Sequence, residues 1–216
     1  MLTLARRLCV LLAISGLLGV AAAAEPLGRP TSEPYTGDLS IFEYPDRDAK
    51  LQIDRVMDLL GIDAGKNVAD IGAGSGWFSV RAARRVAPSG TVYAVEINRD
   101  YLRHIRKRAK AEHVRNIRTV LGRAGNPLLP GNTIDAILLL KTYHEVQEPI
   151  ALLRRIRAAM RVGAKLGIID KSGTGADHGL NADVVISEAT RAGFKLVAQH
   201  DFVKADGMDY FLVFER

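Results

Sequence analysis

Three glycines alternate in the stretch NVADIGAGSGWFSV, at Gly72, Gly74 and Gly76, with Asp70 two residues ahead of them and Glu96 twenty residues behind. Glycine leaves the backbone bare where a ligand has to approach closely. A dinucleotide fingerprint, G-x-G-x-x-G, wants its third glycine where this chain has Trp77, so the spacing fits poorly with a pyrophosphate-binding turn. The flanking acids ask for a different ligand. A carboxylate at Asp70 accepts hydrogen bonds from an ammonium group directly or through water, and one at Glu96 can accept from both hydroxyls of a ribose. A molecule with a cationic amino acid at one end and a ribose at the other suits both.

A second group of reactive side chains follows the apolar run of TIDAILLLKTYHEV. Tyr143 and His144 stand at the carboxyl end of that run, where open α/β sheets place their ligands. His144 has the chemistry to remove a proton from an acceptor oxygen or nitrogen, and equally to make a structural hydrogen bond to its loop. Glu145 can orient His144 or cap the helix that follows. Asp170, Asp177 and His178 can border an acceptor pocket or lie on a solvated loop. No pair among His144, Glu145, Asp170 and His178 has the tight spacing of a recognisable zinc motif, so no metal is expected.

Alternating elements must position these residues. Helical periods are predicted over 47–60, 75–86, 99–113, 148–160 and 183–192, and strands at NVADIG, TVYAVEI, NIRTVLG, TIDAILLLKTY and KLGIID. That rhythm predicts a doubly wound, largely parallel sheet with helices on both faces. The last two strands, FKLVAQHDF and MDYFLVFE, are separated by only Val203 to Gly207, too short for a helical crossover, so they must form an antiparallel hairpin.

The N-terminus has a different character. Arg6 and Arg7, the apolar run to Ala24 and the Ala22-Ala23-Ala24 end have the pattern of a secretory signal peptide over 1–24. The sole cysteine, Cys9, lies within it, so a processed chain has no thiol for a disulfide. Removing the two arginines leaves 28 basic against 24 acidic residues, a net charge of about +4. Residues 25–46 hold four of the eight prolines and are predicted to be an extended arm, carrying Tyr35, Phe42 and Tyr44 across the mouth of the cofactor site; 47–216 are one domain.

On VADIGAGSGWF, AVEI and TIDAILLLKTYHEV, the region 47–216 resembles the class I S-adenosylmethionine-dependent methyltransferases, and most of all their exported or membrane-associated bacterial members. The resemblance implies a seven-stranded Rossmann-like sheet of order 3-2-1-4-5-7-6 with strand seven antiparallel, and S-adenosyl-L-methionine as cofactor. Carried over residue by residue, it implies cofactor contacts from Asp70, Gly72, Ala73, Gly74, Gly76, Glu96, Gly122, Arg123, Ala124 and Lys141, and catalysis by Tyr143 and His144. Where many relatives place an acid against the adenine amino group, this chain has Arg123 in LGRAGNPLLP. The implied acceptor is a small molecule or a lipid-like, envelope-associated compound. No N-P-P-Y-like clamp is present, which disfavours nucleic acid bases.

The basic helix RDYLRHIRKRAKAEHVRNIR can be simply solvated or can meet an anionic membrane surface. Export separates a protein from a cofactor made in the cytosol. A twin-arginine route, a retained anchor or a non-catalytic pocket would each resolve that conflict. The alternatives to a methyltransferase are thus a binding protein that has kept the pocket, and a nucleotide-cofactor oxidoreductase. Oligomeric state has no signature in the sequence.

Overall fold

A computed structural model describes residues 28–216; the leader expected at 1–24 lies outside the described residues. In chain order the elements are α1 (Arg47–Leu51), α2 (Ile53–Leu60), β1 (Asn67–Ile71), α3 (Trp77–Val86), β2 (Thr91–Glu96), α4 (Arg99–Ala111), β3 (Ile117–Leu121), β4 (Ile134–Leu140), α5 (Pro149–Ala159), β5 (Met160–Asp170), α6 (Ala182–Arg191), β6 (Lys195–His200) and β7 (Tyr210–Glu215). The seven strands form one sheet of order β3-β2-β1-β4-β5-β7-β6. Strands β1 to β5 pair in parallel, and β7 runs antiparallel to both β5 and β6. The hairpin expected from its short connection is present, with a 3-10 turn over Phe202–Asp206 between its strands.

Two apolar layers hold the sheet between its helices. One gathers Ile137, Leu139, Leu153, Ile156 and Phe214 under α5 and α6; the other gathers Val56, Leu60, Val68, Leu138 and Phe211 under α2 and α3. β4 serves both layers, because alternate residues of a strand point to opposite faces. This is why IDAILLL reads as a continuous apolar run.

Two boundaries depart from the sequence reading. The single helix predicted over 47–60 is broken at Gln52, which adopts a left-handed conformation (φ 50°) and sends its side-chain amide to the Phe202 carbonyl. The break lets α1 pack on the Phe202–Asp206 turn while α2 packs on the sheet, an arrangement that apolar periodicity alone does not reveal. β5 begins at Met160, five residues before the KLGIID strand, because α5 runs directly into it through an irregular pairing near Ile134. Among the described residues no helix is long and apolar enough to cross a membrane.

Candidate active site

Sheet order reverses beside β1, which pairs β2 on one side and β4 on the other. Open α/β sheets form a ligand crevice at that switch point. Here it is a cavity of about 520 Å³, lined by the carboxyl ends of β1, β2 and β4 and roofed by the arm through Pro34, Tyr35, Thr36 and Phe42.

Asp70, near the end of β1, is 2% exposed and accepts a 2.6 Å hydrogen bond from Ser79 Oγ. Loss of solvation on burial pushes its carboxyl up to about 7, with the Ser79 bond pulling it down and the Glu96 charge adding to the rise. After β1 the chain turns through three left-handed glycines, with φ of 73°, 50° and 75° at Gly72, Gly74 and Gly76. Gly72 is the tightest: a Cβ there would lie 2.3 Å from Thr142 Cγ2, across the crevice. Gly76 caps α3 against Ile105.

Glu96 ends β2 and ties the two sides of the cavity together. Its Oε2 accepts from Gly74 N at 3.0 Å, and its Oε1 accepts from Ile97 N and Asn98 N at 2.7 and 3.0 Å. A carboxylate has about four acceptor positions, so three engaged N–H groups leave room for about one ribose hydroxyl, where two were expected.

Of the ten residues expected at the cofactor, Asp70, Gly72, Ala73, Gly74, Glu96, Gly122, Arg123, Ala124 and Lys141 line the cavity, and Gly76 stands behind it. The two expected catalytic residues do not line it. Tyr143 is fully buried in the layer under α5 and α6, and its hydroxyl donates to Glu188 Oε2 at 2.8 Å. Burial, and then the Glu188 charge, hold that phenol well above its usual range. A hydroxyl so engaged cannot meet a substrate in the crevice, and its expected catalytic placement is corrected accordingly: Tyr143 is a core residue with a fixed hydrogen bond.

His144 is also buried, 2% exposed, and its Nδ1 lies 2.9 Å from both oxygens of Asp170. A carboxylate accepts, so the ring proton sits on Nδ1 and Nε2 is turned the other way, 3.9 Å from Glu145 Oε1. Glu145 is the member of this group that lines the cavity. Burial raises its carboxyl to about 7, against the lowering effects of His144 and of the Tyr35 N–H that it accepts at 3.3 Å. His178 brings its ring edge to His144 at 5.9 Å between centroids. One ligand atom from each of His144, Glu145 and His178 lies within 4.8 Å of the others. The linear spacing that argued against a metal could not show this convergence, because His178 arrives from the loop after β5. Asp177 turns outward and accepts from Thr174 N.

Sequence reasoning missed Arg47 and the residues that fasten the arm. Arg47, at the start of α1, is 6% exposed and lines the cavity, with Nη1 donating to the Phe42 carbonyl at 2.8 Å and Nε buried without a partner. Its guanidinium lies over the Trp77 ring at 4.1 Å, and that of Arg81 lies over the same residue's ring at 4.0 Å. The arm itself is fastened to the body: Arg29 bonds Glu188 and the Tyr143 carbonyl, Ser32 bonds Gly175, and Tyr44 bonds Asp206. Among its described residues the arm has no α-helix or strand, only a 3-10 turn over Leu39–Phe42, and only its aromatic residues signalled contact. On the outer face of the sheet, several cations of α4 are internally engaged, with Arg108 bonding Glu112 and Glu43 and Arg106 bonding Thr119.

Residues 68–163 match the family described as Methyltransferase domain. A demethylmenaquinone methyltransferase of Geobacillus sp. (strain WCH70) is 23% identical over 116 residues, which is 54% of this chain and 50% of the relative; the chain thus matches about half the length of that protein. Among solved structures, a SAM-dependent methyltransferase from Aquifex aeolicus superposes with a TM-score of 0.73 at 21% identity, covering 83% of this chain and 98% of that one. Fibrillarin from Aeropyrum pernix, solved with natively bound S-adenosyl-L-methionine, superposes with a TM-score of 0.60 at 17% identity over 77% of this chain and 73% of its own. The chain has the class I methyltransferase fold.

Proposed function

We propose that this chain is a methyltransferase that binds S-adenosyl-L-methionine in the crevice and transfers its methyl group to a small, largely apolar acceptor. The observation that carries the reading is the polar frame of the cavity: Asp70 and Arg47 on one side, Glu96 on the other, and a left-handed glycine turn between them. Asp70 receives the ammonium group of the cofactor, the unpartnered Nε of Arg47 meets its carboxylate, and Glu96 takes a ribose hydroxyl. Arg123 and Ala124 flank the base through backbone and side-chain stems.

Methyl transfer asks the protein mainly to align acceptor, methyl and sulfur and to exclude water. When bound, the cofactor would supply an activated methyl group on its sulfonium sulfur, which would keep the electrons of the broken carbon–sulfur bond while the acceptor gave up a proton. The apolar wall of Phe42, Phe78, Val95, Leu140, Val146 and Leu152 suits a ring-bearing acceptor, and the Geobacillus relative's name supports the quinone class. An envelope location for that acceptor rests on the leader expected at 1–24.

Equilibrium binding tests the cofactor: calorimetry with S-adenosyl-L-methionine should give one site per chain, and NAD should give no heat. Binding of NAD in its place would return the chain to the oxidoreductases. Label transfer from the methyl-labelled cofactor into an envelope extract, and into a reduced short-chain naphthoquinone, tests the reaction. Binding without transfer to either would leave a protein that has kept only the pocket.

A further inference from the structure

We propose that His144, Glu145 and His178 form a binding site for one divalent transition-metal ion at the edge of the cavity. The three residues come from two loops, the one after β4 and the one after β5, and each directs one ligand atom to a common region within 4.8 Å. Two imidazoles and one carboxylate are the donor set of open zinc and iron sites, in which the protein fills three positions and leaves the rest to water or substrate.

The surroundings are those of a ligand cluster rather than a chance meeting of loops. His144 is buried, and Asp170, itself fully buried, holds its Nδ1 at 2.9 Å and thereby leaves Nε2 as the free nitrogen. A carboxylate behind a ligating histidine fixes its tautomer and raises its basicity. Asp170 is fixed in turn by the backbone N–H groups of His144 and Lys171, at 3.2 and 3.0 Å. Glu145 Oε1 accepts from Tyr35 N at 3.3 Å, which orients its carboxylate from the arm side. The loop bearing His178 is pinned by Ser32, whose hydroxyl accepts from His178 N at 2.9 Å and donates to Gly175 O at 2.7 Å.

The ligand atoms must close further. With metal–ligand bonds of 2.0–2.2 Å, tetrahedral ligands stand roughly 3.3 Å apart. His144 Nε2 and Glu145 Oε1 are 3.9 Å apart, and His178 is exposed and free to swing, so small side-chain rotations suffice. Because Glu145 lines the cavity, the open position of the ion faces the acceptor end, where an acceptor oxygen could bind it. That last role rests on the methyl-transfer reading; the site itself does not.

The test is direct titration of the chelator-treated full-length chain with zinc alone, read by calorimetry, and with cobalt, read by its visible absorption. One ion per chain is expected. His178→Ala and Glu145→Gln, both on solvent-reachable side chains, should weaken binding by roughly 100-fold or more, and Asp170→Asn by about 10- to 100-fold. Unfolding curves identify any variant that fails to fold, and the two accessible variants keep the test valid if Asp170→Asn does. His113→Ala, on the far side of α4, should bind like the parent. Unchanged affinity in His178→Ala, or a loss on His113→Ala, would reduce the binding to adventitious surface contact and overturn the site. Methyl transfer is measured separately. Metal binding without transfer would count against the methyltransferase reading and leave the site standing; methyl transfer by a chain that takes up no ion in the titration would overturn the site and leave that reading standing.

Discussion

At one end of the cavity, Asp70, the glycine turn and Glu96 come from a single continuous stretch, residues 70 to 96, on two adjacent strands. At the other end, Arg29, Ser32 and Tyr35 of the arm meet His144 and Glu145 after β4, Asp170 at the end of β5, His178 in the loop that follows, and Glu188 of α6. The first end is a local design, in which a strand, a tight turn and a helix carry their own geometry. The second is assembled from distant segments, tied to one another by hydrogen bonds of side chains and backbone. A local site is built by backbone conformation, whereas an assembled one depends on buried pairs, so the two ends should fail in different ways when altered.

The largest effect is expected at the local end. Gly72→Ala puts a Cβ into Thr142 at a left-handed φ of 73°, and should cost about 2–4 kcal/mol of unfolding free energy from backbone strain and overpacking together. Adding Thr142→Ala removes the two nearest atoms, leaving the Cβ at 142 still 3.0 Å away, and does not touch the strain, so denaturant titration of the double variant should recover part of the loss. No recovery would mean that the turn, and not the crevice contact, demands glycine.

Next in size is Glu96→Ala. It removes the acceptor for three backbone N–H groups and for the ribose, and should weaken S-adenosyl-L-methionine by about 1.5–3 kcal/mol in calorimetry. Unchanged affinity would break the claim that the local end holds the cofactor.

At the assembled end, Tyr143→Phe should cost about 1–2 kcal/mol of stability, because Glu188 loses the hydroxyl that bonds its Oε2, while turnover stays close to the parent's. A fall in turnover with stability intact would restore Tyr143 to the chemistry and erase the contrast.

The smallest expected effect is the change of cofactor affinity with pH near neutrality. Asp70 titrates at about 7 when folded and near 3.9 when unfolded, so the folded state binds more protons between those values. Its contribution to the stability of the cofactor-free protein is therefore complete below about pH 4 and lost as pH rises through 7. Cofactor affinity runs the opposite way, since an ammonium group needs the ionised carboxylate: binding should strengthen between pH 6 and 7.5, and Asp70→Asn should flatten that slope.

The same contrast decides what could be read from the sequence. Asp70, the glycines and Glu96 were legible because strand, turn and strand keep their functional residues at fixed distances along the chain. The terminal hairpin was legible because five connecting residues cannot hold a crossover. His144 was recognised as reactive, but its pairing with Asp170 and its approach to His178 depend on how β4 and β5 lie side by side, which spacing does not encode. Tyr143 bonds Glu188, 45 residues away, and Arg47 reaches the wall from α1, a short helix set apart from α2 by the break at Gln52. Both belong to tertiary packing, and neither leaves a periodic trace.

Trp77 gives the molecule an optical consequence. It is the sole tryptophan of the chain, it lines the cavity, and the guanidinium groups of Arg47 and Arg81 both lie over its ring. Its fluorescence therefore comes from one known place, and a ligand that draws Arg47 toward its own carboxylate must loosen one of those two contacts. Emission from the unlabelled protein should thus follow occupancy of the crevice directly.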